Sequence, residues 1–356
     1  MDLNLLQLGS ESPLRLLQSI FPKEPMLTLH LLVHPPCTVT KPTQGMMEAM
    51  MSSPVGDDVY ELAIRTHLVQ PPYSMLCDAR AHIITYEASG VSFHCGAAVT
   101  PVTPTNGSGH LTADQVAKRL ILSKDVHYAP TALICLENTL DGSVFPLKDM
   151  EDISALAKTH SIPMHMDGAR LWNASVATGI SIREYCKPFD SVSLCFSKGK
   201  CRYLFFNADS IGLGAPIGSV LVGTTKYIQK ARHFRKLYGG GWRQAGILAG
   251  ACLYALEHHW PSMKEVHANA TYLTSKLSSM GFGIAKPTET NMVWLDAKPL
   301  GMTSADVAHV LAKHEIKVSG SSDPVTRMVL HHQVSREHIE QIVDLLSSHI
   351  SSIKTK

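Results

Sequence analysis

Two short apolar runs, set one helix apart, constrain this chain more than any other feature. Ile162 to Met166 is mostly apolar and too short for a helix, and it ends at Asp167 followed by Gly168. Val192 to Phe196 is a second such run and leads into Ser197, Lys198 and Gly199. Between them, Leu171 to Ala177 reads as a helix and Ser181 to Tyr185 as a further turn of one. Short apolar runs with glycine at their ends read as buried strands, so the order is strand, helix, strand. In open α/β sheets ligands bind outside the carboxyl ends of the strands, which predicts that Asp167, Arg170 and Lys198 converge on one pocket. Taken singly, each is an ordinary polar residue at a strand end.

The chemistry of that combination is specific. A lysine amine forms a Schiff base with an aldehyde, and a carboxylate beside a pyridine nitrogen keeps the ring protonated so that it accepts electrons. Asp167 and Lys198 therefore point to pyridoxal phosphate, and one βαβ unit supplies both.

Length and composition are compatible with such an enzyme. A chain of 356 residues with 45% hydrophobic and 17% charged content has enough material for one large α/β domain with a buried core and a smaller second domain. A net charge of +2 without a long basic block argues against nucleic acid or an anionic membrane surface as partner. The 8 cysteines form no CxxC pair, and Cys135 and Cys195 lie in apolar runs, which predicts reduced core residues in a cytoplasmic protein. No apolar run is long enough to cross a bilayer. Residues 1–36 form an extension with leucine clusters but also Asp2 and Glu11, and without a compact basic start or small-residue cleavage site, against a secretory signal. A mitochondrial presequence is the alternative for that segment.

Strand-like and helical text alternates from Thr38 onward. GMMEAMMSSP, TADQVAKRLILS, LKDMEDISALAKTH and GILAGACLYALEHH are helical; THSIPMHMD, DSVSLCF and GSVLVG are strand-like. The last third changes pattern, with helices in NATYLTSKLSSMGF, SADVAHVLAKHE and EHIEQIVDLLSSHI around strands in TNMVWLD and TRMVLHHQ. The expected division is a large domain over 37–258 and a small α+β domain over 259–356.

Eight ordered motifs carry a family resemblance: GDDVY, CDARAHIITYEASG, LENTLDG, HMDGARLWNA, SVSLCFSKG, LGAPIGSVLVG, GGGWRQAG and TRMVLHHQ. The chain resembles the low-specificity threonine aldolases, of the beta-eliminating lyase/threonine aldolase family and the aspartate-aminotransferase-like fold. The resemblance implies a mainly parallel seven-stranded sheet in the large PLP-binding domain and a small C-terminal α+β domain. It implies pyridoxal 5'-phosphate as cofactor, an amino-acid substrate, a cytoplasmic homotetramer, and retro-aldol cleavage of threonine to glycine and acetaldehyde, serving threonine catabolism and glycine biosynthesis. By that resemblance Lys198 matches the Schiff-base lysine and Asp167 the partner of the pyridine nitrogen. Arg170 and Arg327 match ligands of the substrate carboxylate, a task suited to a planar guanidinium fork. His82 matches the histidine that stacks on the cofactor, and His127 one near the substrate hydroxyl; either is a candidate general base. Arg243 and Lys236 match basic residues that reach the cofactor region across a subunit contact.

Bland readings stand beside these. His82 and His127 are two of 19 histidines, and Arg327 sits in an alternating strand where a salt-bridged surface arginine is the default. GLGAPIG lacks GxGxxG spacing, so a dinucleotide loop is not supported. His331 and His332 invite a zinc reading, but adjacent strand positions point to opposite faces, and no metal site is expected.

Three departures from the family pattern bear on activity. Tyr60 runs straight into Glu61 and LAIRTHL, where the family inserts a helix, a strand and an SGTMGN-type turn whose backbone amides cradle the cofactor phosphate. KCRYLFFNADSIG, residues 200–212, is inserted beside Lys198. Its flank Gly199-Lys200-Cys201 is compatible with the codons GGT AAG TGC, which contain a donor-like splice signal. The family's SDTVT reads PCTVT here, placing Pro36 and Cys37 where serine and aspartate are expected. The alternatives to the aldolase are a noncatalytic or misspliced relative lacking the phosphate cup, and another pyridoxal phosphate β-eliminating lyase or racemase.

Overall fold

The computed structural model describes residues 44–52, 58–59, 63–68, 70–105, 107, 109–197, 213–242 and 245–354. Six strands form the main sheet: β1 (Ser74–Asp78), β2 (Ala98–Val102), β3 (Thr131–Glu137), β4 (Met164–Asp167), β5 (Ser191–Cys195) and β6 (Ser219–Gly223), in the order β2-β1-β3-β4-β5-β6. All neighbours are parallel except β5 and β6. Parallel strands covered on both faces become apolar along their length, as in β3, where Leu133, Ile134, Cys135 and Leu136 are all buried.

Helix α1 (Gln44–Ser52) precedes the sheet, α2 (Leu147–Thr159) connects β3 to β4, and α3 (Leu171–Thr178) lies between β4 and β5. Trp172 on α3 is fully buried and donates its indole N–H to the Cys195 carbonyl at 2.9 Å, fastening the helix to the end of β5. A short turn follows over Ile182–Cys186, its first N–H groups capped by Ser181, whose hydroxyl accepts from Glu184 N at 3.2 Å. Helices α4 (Thr225–Leu237) and α5 (Gly246–His258) complete this lobe, with α1 packed against α5.

The second lobe is a three-stranded antiparallel sheet, β7 (Gly283–Lys286), β8 (Met292–Asp296) and β9 (Val325–Val329), in the order β9-β8-β7. Helices α6 (Met263–Ser279), α7 (Ser304–Ala312) and α8 (Arg336–Lys354) cover it and close a separate apolar cluster running from Val266 to Ile350. Thr303 and Asp306 cap α7 reciprocally, through Thr303 N to Asp306 Oδ2 at 2.7 Å and Asp306 N to Thr303 Oγ1 at 3.3 Å. The lobes meet where the loop after β3 reaches the small sheet: Lys286 Nζ lies 2.7 Å from Asp141 Oδ2, and Trp294 Nε1 donates to Asp141 O at 2.9 Å. Gly142 holds φ at 87°, and a Cβ there would stand 2.7 Å from Met292 Cβ, so glycine permits this approach.

The main sheet has six strands among the described residues, where the resemblance implied seven. Tyr60 and Glu61 are adjacent in the chain, so no apolar run separates them that could form another strand. Among the described residues before the helical turn Ala63–His67, Asp58–Val59 is extended, paired with Gly241–Trp242. Two strands of the main sheet carry no reading from the sequence: β1, a short run buried along its whole length, and β2, an edge strand containing Pro101 with a mixed burial pattern that gives no clean alternation. Among the described cysteines all are free, and all but Cys195 are buried. No helix among the described residues is long and apolar enough to cross a membrane.

Candidate active site

Three consecutive strands of the sheet end in carboxylates at one edge: Asp78 on β1, Glu137 on β3 and Asp167 on β4. Each closes an apolar run, so the same pattern that singles out Asp167 also marks Asp78 and Glu137, to which the sequence reading assigned no role. Arg80 binds Asp78 through both nitrogens, Nε to Oδ1 at 2.9 Å and Nη2 to Oδ2 at 2.7 Å, a bidentate arrangement that fixes both groups.

Asp167 is half-buried, and its Oδ1 accepts from Ala169 N at 3.0 Å, which sets the carboxylate plane. Gly168 then turns the chain against β5: its N–H donates to Ser193 O at 2.8 Å, and a Cβ would lie 2.8 Å from that same oxygen. Any larger residue would push Asp167 away from the edge.

Arg170, at the start of α3, is only 3% exposed, and its Nη1 lies 3.5 Å from Glu137 Oε1. The other Glu137 oxygen accepts from His82 N at 2.8 Å. One buried carboxylate thus ties the loop after β1 to the loop after β4. Glu137 is also the register partner of Asp167 across β3 and β4. Burial, and then the charge of Asp167, push the Glu137 carboxyl up to about 7, against the opposing pull of Arg170 and the His82 N–H.

A pH prediction follows from this shift. A carboxyl raised on folding stabilises the fold at low pH, and that contribution is lost as pH climbs from the ordinary glutamate range through about 7. Glu137→Gln should flatten the fall in stability between pH 5 and 8 by on the order of 2–3 kcal/mol. Denaturant midpoints across that range check it; parallel curves for the two proteins would refute the assignment.

The remaining candidates fall in different places. The His82 side chain, at the first position of the turn His82–Thr85, lies 2.9 Å from Glu87 Oε1 and 5.1 Å from the Tyr86 ring centre. Arg327, in the middle of β9, faces Trp294 in register, with its guanidinium 5.8 Å from that ring centre. Because Trp294 donates to Asp141 O, Arg327 stands on the side of the small sheet that meets the loop after Glu137. Lys236 is exposed in the last turn of α4. Lys198 and Arg243 lie outside the described residues, as do the Tyr60–Glu61 junction, residues 200–212, Pro36 and Cys37. The last described residue before Lys198 is Ser197, held beyond the carboxyl end of β5 by its N–H to Gly218 O at 3.3 Å.

His127 is not brought to this edge within one chain. It lies before the amino end of β3, where Pro130 O accepts from Ser74 N at 2.7 Å. The seven residues of β3 put about 20 Å between the two ends of the strand. The His127 side chain is 83% exposed, with Nδ1 2.6 Å from Asp125 Oδ1. His331 and His332 lie beyond the end of β9 instead of alternating along it, and His332 stacks on His259 at 4.1 Å.

Perturbed histidines also occur at the opposite edge. His67 and His165 approach the Ser191 hydroxyl at 2.6 and 2.7 Å, and burial lowers their pKa values to about 4 and about 3. They are neutral links between strand starts, away from the carboxyl edge where ligands bind in such sheets.

An open, mostly parallel sheet with paired charges at its carboxyl edge and a small antiparallel lobe beside it defines a fold shared with solved pyridoxal phosphate enzymes. The structure of a Leishmania major threonine aldolase superposes with a TM-score of 0.64 at 17% identity, over 86% of this chain and 87% of that one. The beta-eliminating lyase family pattern matches residues 61–299, and the chain belongs to that family. It is 40% identical over 341 residues to a probable low-specificity L-threonine aldolase of Schizosaccharomyces pombe, covering 87% of this chain and 85% of the relative. A low-specificity L-threonine aldolase of Candida albicans is 38% identical over 341 residues, covering 86% of each.

Proposed function

We propose that this protein is a low-specificity L-threonine aldolase, a carbon-carbon lyase that cleaves L-threonine and L-allo-threonine to glycine and acetaldehyde with pyridoxal 5'-phosphate. The observation that carries the reading is the buried Arg170–Glu137 pair beside a half-exposed Asp167, at the ligand-binding edge of a chain whose relatives bear that name.

The described residues fit the ring of this cofactor. Asp167 has one oxygen tied to Ala169 and the other directed to no hydrogen bond among the described residues, as a partner for a pyridine N–H requires. His82 offers a flat ring on a turn whose first N–H is anchored by Glu137. When bound, the cofactor supplies an electron sink for the pair released from the Cα–Cβ bond. Lys198 would hold the cofactor aldehyde through its amine. Arg170 and Arg327, from the two lobes, grip the substrate carboxylate, so that the bond to be broken is held in one orientation. A histidine, His127 or His82, directly or through water, takes the proton from the substrate hydroxyl.

The acting form is a homo-oligomer, a tetramer by family likeness. In that form His127 would serve a neighbouring subunit's site, a reading supported by the exposure of Val126 at 92% and Tyr128 at 55% on either side of it. Lys236, exposed in the last turn of α4, and Arg243 would reach a neighbour's cofactor in that oligomer. We further propose the division into an extension over 1–36, a large domain over 37–258 and a small domain over 259–356, a cytoplasmic location, and a role in threonine breakdown that supplies glycine.

Product analysis tests the reading. Equimolar glycine and acetaldehyde from L-threonine support it; 2-oxobutanoate with ammonia, or inversion at Cα alone, would replace it with a β-eliminating lyase or a racemase. For the histidine, His127→Asn should lower turnover about 100-fold while leaving cofactor occupancy near that of the parent. Unchanged turnover would remove His127 from the reaction.

A further inference from the structure

A small pocket, part polar and part apolar, lies where the two lobes touch, with Asn173 on α3 and His259 after α5 on one side, and Asn291, Leu330 and His332 on the other. Asn173 is fully buried. Its Oδ1 sits 2.9 Å from His267 Nε2 on α6, and burial, by lowering the His267 pKa to about 4, keeps that imidazole neutral. A carboxamide oxygen only accepts, so Nε2 carries the hydrogen and the Asn173 amide is oriented. Its Nδ2 is then buried with no hydrogen-bond partner.

Asn291, 3% exposed, is the mirror case. Its Nδ2 donates to Leu330 O at 2.6 Å, while its Oδ1 is buried without a partner. A donor, Asn173 Nδ2, and an acceptor, Asn291 Oδ1, therefore belong to residues that line a single cavity together with the imidazoles of His331 and His332, with about 10 Å³ of room for the centre of a water molecule, roughly what one water needs. Buried amide groups left unsatisfied would cost about 1–3 kcal/mol each.

The position of these groups gives the pocket a use. Asn173 is three residues beyond Arg170, and its N–H donates to Arg170 O at 3.0 Å. Leu330, gripped by Asn291 through both backbone and side chain, is three residues beyond Arg327. Nearby, His332 stacks on His259, whose Nδ1 lies 2.7 Å from Leu213 O. The joint between the lobes thus runs from the element carrying one arginine to the element carrying the other.

We propose that this pocket binds one ordered water bridging Asn173 Nδ2 and Asn291 Oδ1, and that the bridge sets the spacing of Arg170 and Arg327, making Asn173 and Asn291 positioning residues for the amino-acid carboxylate. The second half of this rests on the functional reading above; the water does not.

A crystal structure of the cofactor-loaded protein at high resolution should show a density peak within hydrogen-bonding distance of both amides; an empty pocket would overturn the bridge. In kinetics, Asn173→Leu should raise KM for threonine about tenfold with kcat within about twofold, as displacement of a binding group predicts. Asn173→Ser, which keeps a hydroxyl donor and room for water, should restore KM to within about threefold. Lower thermal stability with unchanged KM in both variants would show that the amide only packs the interface, and would overturn the positioning role. Should Asn173→Leu not fold, Asn291→Ser carries the test, with a KM rise of similar size expected and an unchanged KM counting against the proposal. If the parent makes no acetaldehyde, the functional reading fails while the density still decides the water.

Discussion

Lys198→Ala is expected to remove the visible absorption band that pyridoxal phosphate gives on binding the parent chain, and to lower threonine cleavage roughly 1,000-fold or more. The reason lies in the chain's direction. Ser197, which precedes Lys198 in the chain, is held beyond the end of β5, beside the strand that ends in Asp167. The cofactor titration that measures the band also addresses the departures at Tyr60 and at residues 200–212. A saturable band in the parent that the variant lacks would show that a working pocket survives both. A folded parent with no band would place the activity in a differently spliced product.

Arg170→Leu should be costly in a second way, because it affects stability as well as substrate binding. The guanidinium lies 3.5 Å from a buried carboxylate, and the neighbouring strand end carries Asp167. Removing one member of a buried ion pair typically costs about 3–5 kcal/mol, since the remaining charge is stranded in a poorly solvating site. We expect a loss of that order in chemical denaturation at pH 8, together with a KM for threonine raised about 100-fold. Arg170→Lys should recover part of the stability but little of the KM, because an ammonium lacks the planar fork. Combining Arg170→Leu with Glu137→Gln should restore stability relative to Arg170→Leu alone, since the second change neutralises the stranded charge. Simply additive losses would show that the two side chains do not act as a pair.

The helices and the strands on either side of α3 were the readable part of this fold. The 3.6-residue pattern marks helices that appear within a few residues of expectation, as over Leu147–Thr159 and Gly246–His258. The apolar runs ending at Asp167 and Ser197 mark two adjacent parallel strands. The edge strand β2 was not readable, because Pro101 and partial exposure erase its alternation. Nor was the position of His127, because its role came from the family resemblance, whereas its place before β3 puts it at the amino end of that strand, away from the ligand edge.

By itself, the sequence determined most of the helices, the strands on either side of α3, the family and the residue types at the strand ends, because these depend on local periodicity and on motifs that each lie within a few neighbouring residues. Only the tertiary structure decided that Glu137 binds both the His82 backbone and Arg170, that Arg327 comes over the loop after β3, and that Asn173 and Asn291 share one cavity. Those relations join residues far apart in the chain, and they are set by parallel strand register and by how two separately packed lobes meet, neither of which a local pattern encodes.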